Sequence, residues 1–181
     1  MSLSSCFPGT IIPVSEMGLL NGIFLVTSGI TLSQVCEITG LENGTIQNWI
    51  KRGFVNPPVN RKYSRNQVAR IILINMLRDT FTIDRIAKLL SYINGDLLDR
   101  SDDIMDDSDI YQCLCDILIS VQQKERIETD SMPAIINEQL KTYMEPYPGA
   151  KDRLNLALQA MICAYRSATF KRYANQLTEN I

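Results

Sequence analysis

The chain has 181 residues, a formal net charge of −2 and a pI near 5.2, with 45% hydrophobic and 21% charged residues. That size and balance suit one compact soluble domain or two small ones and exclude low-complexity sequence. No histidine occurs, which removes the commonest general acid/base, the usual partner of a Ser or Cys nucleophile and the commonest metal ligand.

In chain order, the first feature is the apolar stretch MGLLNGIFLVTSGI. It is too short to span a membrane, and the first basic side chain is Lys51, so no signal peptide is indicated. The pattern predicts a packing helix over 15–28, capped by Ser15 with Glu16 in its first turn. Helical periodicity then predicts helices over 31–39, 43–52, 65–78 and 82–93, with an extended excursion near 54–63 around Pro57 and Pro58. After the acidic segment GDLLDRSDDIMDDSD come helices over 108–128, 133–145 and 150–177, the last preceded by the break PYPG. The fold class is mostly α. An EF-hand in the acidic segment is excluded, because no Gly or closing Glu falls at the required offsets.

Charge divides the chain more sharply than its total suggests. From 31 to 95 there are nine basic and four acidic residues; from 96 to 130 there are eleven acidic and three basic. A basic domain over 1–95 and an acidic connector with a helical domain over 96–181 follow. Nucleic acid, which the whole-chain charge argues against, suits the first part.

Within the basic part, ITLSQVCEITGLENGTIQNWIKRGF has the spacing of two helices crossing at a steep angle. Leu32, Val35, Cys36 and Thr39 form an inner face, Gly40 makes the turn, and Leu41 plugs the corner. Asn43 offers an N-cap, and Ile46, Trp49 and Ile50 glue the second helix down. Thr45, Gln47, Asn48, Lys51 and Arg52 are left to the open side or its rim. Amides can pair with an adenine edge, and Lys or Arg suit phosphate or guanine. Next comes FVNPPVNRKYSRNQVARI, which clusters Arg61, Lys62 and Arg65 around Tyr63 in the manner of a wing. The plainer alternative is a solvated helix face beside a basic loop.

These residues carry a resemblance. TGL, NWIKRGFVNPP, the YS–VARI run and TIDRIAKLL resemble the DNA-binding domain of MerR-type regulators over about residues 31–93. NWIKRGFVNPPVNRKYSRNQVARIILINMLR is closer to a bacterial family of unknown function with a MerR-like N-terminal domain. The resemblance implies a winged helix-turn-helix followed by a C-terminal helical bundle. It places helix 43–52 in the major groove, makes 54–63 the wing, and implies a homodimer on double-stranded DNA that answers a small-molecule or metal signal. The chain departs from MerR-type recognition helices at Gln47, Asn48 and Ile50, and its wing is short and lacks a tip Gly.

In the C-terminal half, Leu154, Leu158, Met161, Tyr165 and Ala168 share a stripe, as do Ile110, Leu114, Ile117 and Val121. Either a bundle packing on itself or a dimer seam fits this pattern. Tyr143, Tyr147, Tyr165 and Tyr173 are core candidates that could instead line an effector pocket. The cysteines Cys6, Cys36, Cys113, Cys115 and Cys163 are odd in number and lack a CxxC pair. They read as thiols of a reducing, cytoplasmic protein, with no metal or cofactor. The functional expectation is a sequence-specific DNA-binding transcriptional regulator and not an enzyme. Its contact set is Asn43, Thr45, Gln47, Asn48, Lys51, Arg52, Arg61, Lys62, Tyr63 and Arg65. The alternative is a protein-interaction adaptor that keeps the fold without gripping DNA.

Overall fold

A computed structural model describes residues 6–12, 22, 24, 27–97, 99, 101–122 and 131–179. Its regular elements are helices, and two isolated antiparallel bridges, Ile30 with Tyr63 and Val59 with Lys62, add short extended pairings. Most of the expected helix over 15–28, with Ser15, falls outside the described residues; residues 22 and 24 are helical and 27–28 are not. No described helix is long and apolar enough to cross a membrane.

Thr31 opens α1 (Leu32–Thr39) with a reciprocal capping box, exchanging side-chain and backbone hydrogen bonds with Gln34. Gly40 closes it at φ 70°, a left-handed conformation that costs a residue with a Cβ. Leu41 is buried at the corner, and α2 (Asn43–Lys51) begins two residues later. Asn43 is not its cap. Glu42 holds that position without a side-chain hydrogen bond, while the Asn43 Oδ1 accepts from the Cys36 Sγ at 3.0 Å. The amide ties α2 to α1.

After α2 the chain makes a two-residue hairpin. Val59 and Lys62 exchange backbone hydrogen bonds of 3.1 and 2.9 Å across Asn60 and Arg61, whose φ values are 51° and 61°. Two consecutive positive φ values are the mark of a type I′ turn, whose twist matches that of the paired segments. Asn tolerates this conformation; a long side chain such as Arg61 takes it less readily. Tyr63 then pairs with Ile30 through bonds of 3.0 and 2.7 Å. Gly29 makes that approach possible, since a Cβ there would lie 3.0 Å from both the Lys62 Cβ and the Tyr63 carbonyl oxygen.

The helix α3 (Arg65–Leu77) buries nearly every residue from Val68 to Leu77. Against it pack α4 (Ile83–Asn94), α5 (Asp107–Gln122) and α7 (Ala150–Thr178), and α6 (Met132–Gln139) lies against α5 and α7. At roughly 1.5–3 kcal/mol for each fully buried aliphatic side chain, this one helix anchors both halves of the chain. Its Asn75 donates to the Gly9 and Thr39 carbonyls, and the Tyr111 hydroxyl of α5 donates to the Pro8 carbonyl. The short 6–12 segment is thereby pinned to α3, α1 and α5.

Residue 95 therefore marks a change of charge and not a gap in packing. One cluster of buried apolar residues runs from Ile12 to Tyr165. The described residues between α4 and α5 form no helix, but several of them are tied down by hydrogen bonds. Asn94 exchanges two hydrogen bonds with Met105, Asn56 donates to the Leu97 carbonyl, and the Tyr143 hydroxyl donates to the Ile104 carbonyl. The expected helix over 133–145 ends at Gln139. Pro146 disfavours helical backbone at Glu145, and the Glu145 carboxylate accepts from the Lys151 N–H at the start of α7.

Candidate nucleic-acid interface

On α2, Ile46 and Trp49 are buried and Ile50 is half-buried, as their spacing requires. At 100° per residue the opposite side carries Gly44, Gln47, Asn48 and Lys51, all exposed. Asn43 flanks this stripe on the side of Cys36; Thr45, half-buried, and Arg52, exposed, flank it on the other. Gly44 was not singled out from the sequence. A Cβ at that position would meet nothing within 4 Å, so the first turn of the outward stripe offers bare backbone.

Arg52 is exposed but already engaged. Its guanidinium lies 3.4 Å from the Asp84 carboxylate and 4.6 Å from the centre of the Phe54 ring. Asp84 itself stands in the first turn of α4, where the helix dipole favours a carboxylate.

The hairpin presents Val59, Asn60, Arg61 and Lys62 as exposed residues, with no carboxylate between Phe54 and Arg65. Val59 and Asn60 at the turn were missed by sequence reasoning, which looked for a Gly at the tip. Tyr63 does not belong with the exposed residues. It is only 2% exposed, and burial, with a smaller contribution from Cys36, pushes its phenol up from the usual value. Its backbone is bridged to Ile30 and its side chain lies in the core, so it holds the hairpin down. Arg65 is exposed at the start of α3.

Gln67 fixes the hairpin base. Its Oε1 accepts from the Ser64 N–H, completing the α3 capping box. Its Nε2 donates to the Asn56 and Pro57 carbonyls at 3.0 and 2.8 Å. Beneath it, the Arg70 Nε donates to the Phe54 carbonyl at 2.8 Å and its Nη1 to Asp107 at 3.1 Å. Burial pushes the Asp107 carboxyl up, and Arg70 pulls part of that shift back. A groove of about 480 Å³ opens here between the 56–67 segment and the 94–107 segment, with Asn56, Lys62, Arg70, Asn94 and Asp103 on its walls.

The tyrosines of the C-terminal half sit in different settings, although Tyr143 and Tyr147 are near enough to interact. Tyr165 is buried, Tyr143 reaches the Ile104 carbonyl, Tyr147 accepts from Arg153, and Tyr173 is exposed near the end of α7. Burial pushes the Cys113 thiol up to about 11 and the Cys115 thiol up to about 12, which leaves both protonated and unreactive at neutral pH. Among the described residues no group of three or more Cys, Asp and Glu is placed to hold a metal ion.

The sequence profile described as "Domain of unknown function (DUF1836)" matches residues 20–114. That span takes in both helices of the turn, the hairpin, all of α3 and α4, and Asp107. "Uncharacterized protein YkrK" of Bacillus subtilis (strain 168) is 26% identical over 100 residues, 53% of this chain and 43% of the relative. The chain thus spans under half the length of that curated relative. No solved structure matches.

Proposed function

For a chain that belongs to the DUF1836 family of domains of unknown function, whose match covers just over half of its length, we propose a DNA-binding transcriptional regulator of the winged helix-turn-helix kind, MerR-like in plan. Helix α2 is the reading helix and the 59–62 hairpin is the wing. The observation that carries this reading is the outward stripe of α2: two amides and a lysine with no carboxylate among them, on a helix held by buried Ile46 and Trp49. Gln47 and Asn48 are suited to base edges, and Lys51, Arg61, Lys62 and Arg65 to phosphates. Gly44 allows the backbone of the first turn to approach a phosphate closely. Asn43 and Thr45 edge the contact, Arg52 serves it once released from Asp84, and Tyr63 supports it from below. The working unit is a homodimer on a two-fold symmetric site. A small-molecule effector would fit the groove beside Lys62 and Asp103.

Two observations favour a second reading, a protein-interaction adaptor of the same shape. Arg52 is already engaged by Asp84 and Phe54, and the chain as a whole is acidic. Fluorescence anisotropy on mixed genomic duplex fragments over a salt series separates the two. A DNA partner gives log K falling with log salt at roughly −0.9 per phosphate neutralised, so about −3 to −4 for four basic contacts. Weak binding that ignores salt favours the adaptor.

A further inference from the structure

The groove between the hairpin and the acidic segment has charges of opposite sign on its two walls. Lys62 stands on the hairpin wall, exposed and without an ion pair among the described residues. Asp103 stands half-buried on the 94–107 wall. That wall begins at Gly95, φ 54°, where a Cβ would collide with the Asp102 carboxylate, so glycine lets the acidic segment fold back this closely. The other two charges of the lining, Arg70 and Asp107, satisfy each other at 3.1 Å. Across the space there remains a dipole, positive at Lys62 and negative at Asp103.

Two side-chain amides of the lining are half used. Asn56 donates through Nδ2 to the Leu97 carbonyl at 3.1 Å, and Asn66 accepts through Oδ1 from the Ser108 N–H at 3.4 Å. Those partners, a C=O and an N–H, fix which way each amide faces. The Asn56 Oδ1 and the Asn66 Nδ2 have no hydrogen-bond partner among the described residues. One acceptor and one donor are thus left over, the complement of a peptide N–H and a peptide C=O. Leu97, half-buried on the same wall as Asp103, adds an aliphatic surface.

We propose that this groove binds a dipeptide with free termini, its carboxylate at Lys62, its ammonium at Asp103 and its peptide group on Asn56 and Asn66. An aliphatic N-terminal residue suits Leu97. A carboxylate offers about four acceptor sites, so Asp103 has room for an ammonium in addition to any bond it already makes. A ligand of one sign would leave one wall unpaired, and a neutral one would leave both. The volume of about 480 Å³ lies within the range of small-molecule sites, about 300–1,000 Å³. The binding stands on the groove alone; its effect on DNA rests on the regulator reading above. Lys62 belongs to both the groove and the wing, so the bound carboxylate withdraws one ammonium from phosphate.

Equilibrium dialysis of the full chain against radiolabelled L-leucyl-L-alanine tests the binding. The expected result is one saturable site. N-acetyl-leucyl-alanine and leucyl-alaninamide, each lacking one charge, should compete about tenfold more weakly or worse. Lys62→Ala should erase the preference for leucyl-alanine over the amide and keep the preference over the acetylated form. Asp103→Asn should do the reverse. Each variant thus keeps one preference, which a collapsed groove could not show. Lys62 is exposed, so its arm stays decisive should Asp103→Asn unsettle the fold. No saturable binding, equal affinity for the capped forms, or equal affinity for free leucine overturns the proposal. On duplex DNA, saturating leucyl-alanine should make the salt slope shallower by about 0.9 in the native chain and leave it unchanged in Lys62→Ala. A native slope that ignores the bound dipeptide overturns the competition for Lys62. Dipeptide binding by a chain that ignores DNA supports the site and sinks only the regulator reading; DNA binding without dipeptide binding does the opposite.

Discussion

The Arg70 guanidinium donates to the Asp107 carboxylate at 3.1 Å, with side chains only 7% and 11% exposed, and through its Nε it also holds the Phe54 carbonyl. One side chain thus joins α3, the loop that leaves α2, and the first residue of α5. Breaking a buried pair leaves an uncompensated charge, whereas replacing both partners with apolar groups is far milder. Arg70→Met and Asp107→Asn should each cost about 3–5 kcal/mol in urea unfolding. The double variant Arg70→Met with Asp107→Leu should recover most of that. A residual deficit of about 1–2 kcal/mol should remain, because the Phe54 carbonyl is left without its donor. Additive losses in the double variant would show that the pair does not act as a unit.

This ion pair also shows what sequence patterning can and cannot reach. The helices of the basic part, the Gly40 turn and the inward set Ile46, Trp49 and Ile50 follow from local periodicity and from the few residues that tolerate left-handed backbone. The outward set Gln47, Asn48 and Lys51 follows from the same geometry. Arg70 lies in a helix buried on nearly all sides, so no polar face marks it. Asp107 is one of many carboxylates in its segment, and nothing local tells it from Asp109. Tyr63 was grouped with its basic neighbours because chain proximity stood in for direction; its bridge partner Ile30 lies 33 residues away. The type I′ turn at Asn60 and Arg61 was hidden because Arg occupies a position where Gly is the usual signal.

Gln67 serves two structures at once, and a pair of substitutions can separate them. Gln67→Ala removes the capping-box return bond and both bonds to the Asn56 and Pro57 carbonyls. A loss of about 1–2 kcal/mol is expected. Gln67→Glu keeps an acceptor for the Ser64 N–H but has no donor for the loop. Hydrogen exchange by mass spectrometry should show faster exchange across 56–63 in both variants, with the first turn of α3 loosened only in Gln67→Ala. Equal exchange in the native chain and Gln67→Glu would mean that the loop is held by other contacts.

The thiols of α5 give a stability that depends on pH. Burial is the first cause of both shifts, which carry Cys113 to about 11 and Cys115 to about 12 from an ordinary value of 9.0; Asp116 adds to each, and a hydrogen bond with Tyr111 offsets part of the second. Because the folded chain retains protons that the unfolded chain releases, the slope of stability with pH is negative in this window. The contribution is complete below pH 9 and is lost as pH rises toward 11–12. The thermal midpoint should therefore fall between pH 9 and 11, and fall less steeply in Cys113→Ala with Cys115→Ala, whatever the offset between the two proteins at neutral pH. Parallel curves would place the alkaline loss elsewhere.

The reading helix offers the sharpest division of roles, because Gln47 and Lys51 lie one turn apart on the same exposed stripe and differ in what they can recognise. A lysine touching phosphate contributes to every sequence alike through counterion release. Lys51→Ala should weaken binding to all duplexes by a similar factor and make the salt slope shallower by about 0.9. Gln47 carries no charge, so Gln47→Ala should leave the slope unchanged. If its amide pairs with a base edge, the variant should lose roughly 1–3 kcal/mol on the preferred site and almost nothing on random duplex. Selection from a randomised duplex pool, followed by anisotropy on the enriched site and a scrambled control, measures both effects. Equal losses on the two duplexes for Gln47→Ala would place this side chain against the backbone, and would leave Asn48 as the remaining amide on the stripe able to read sequence.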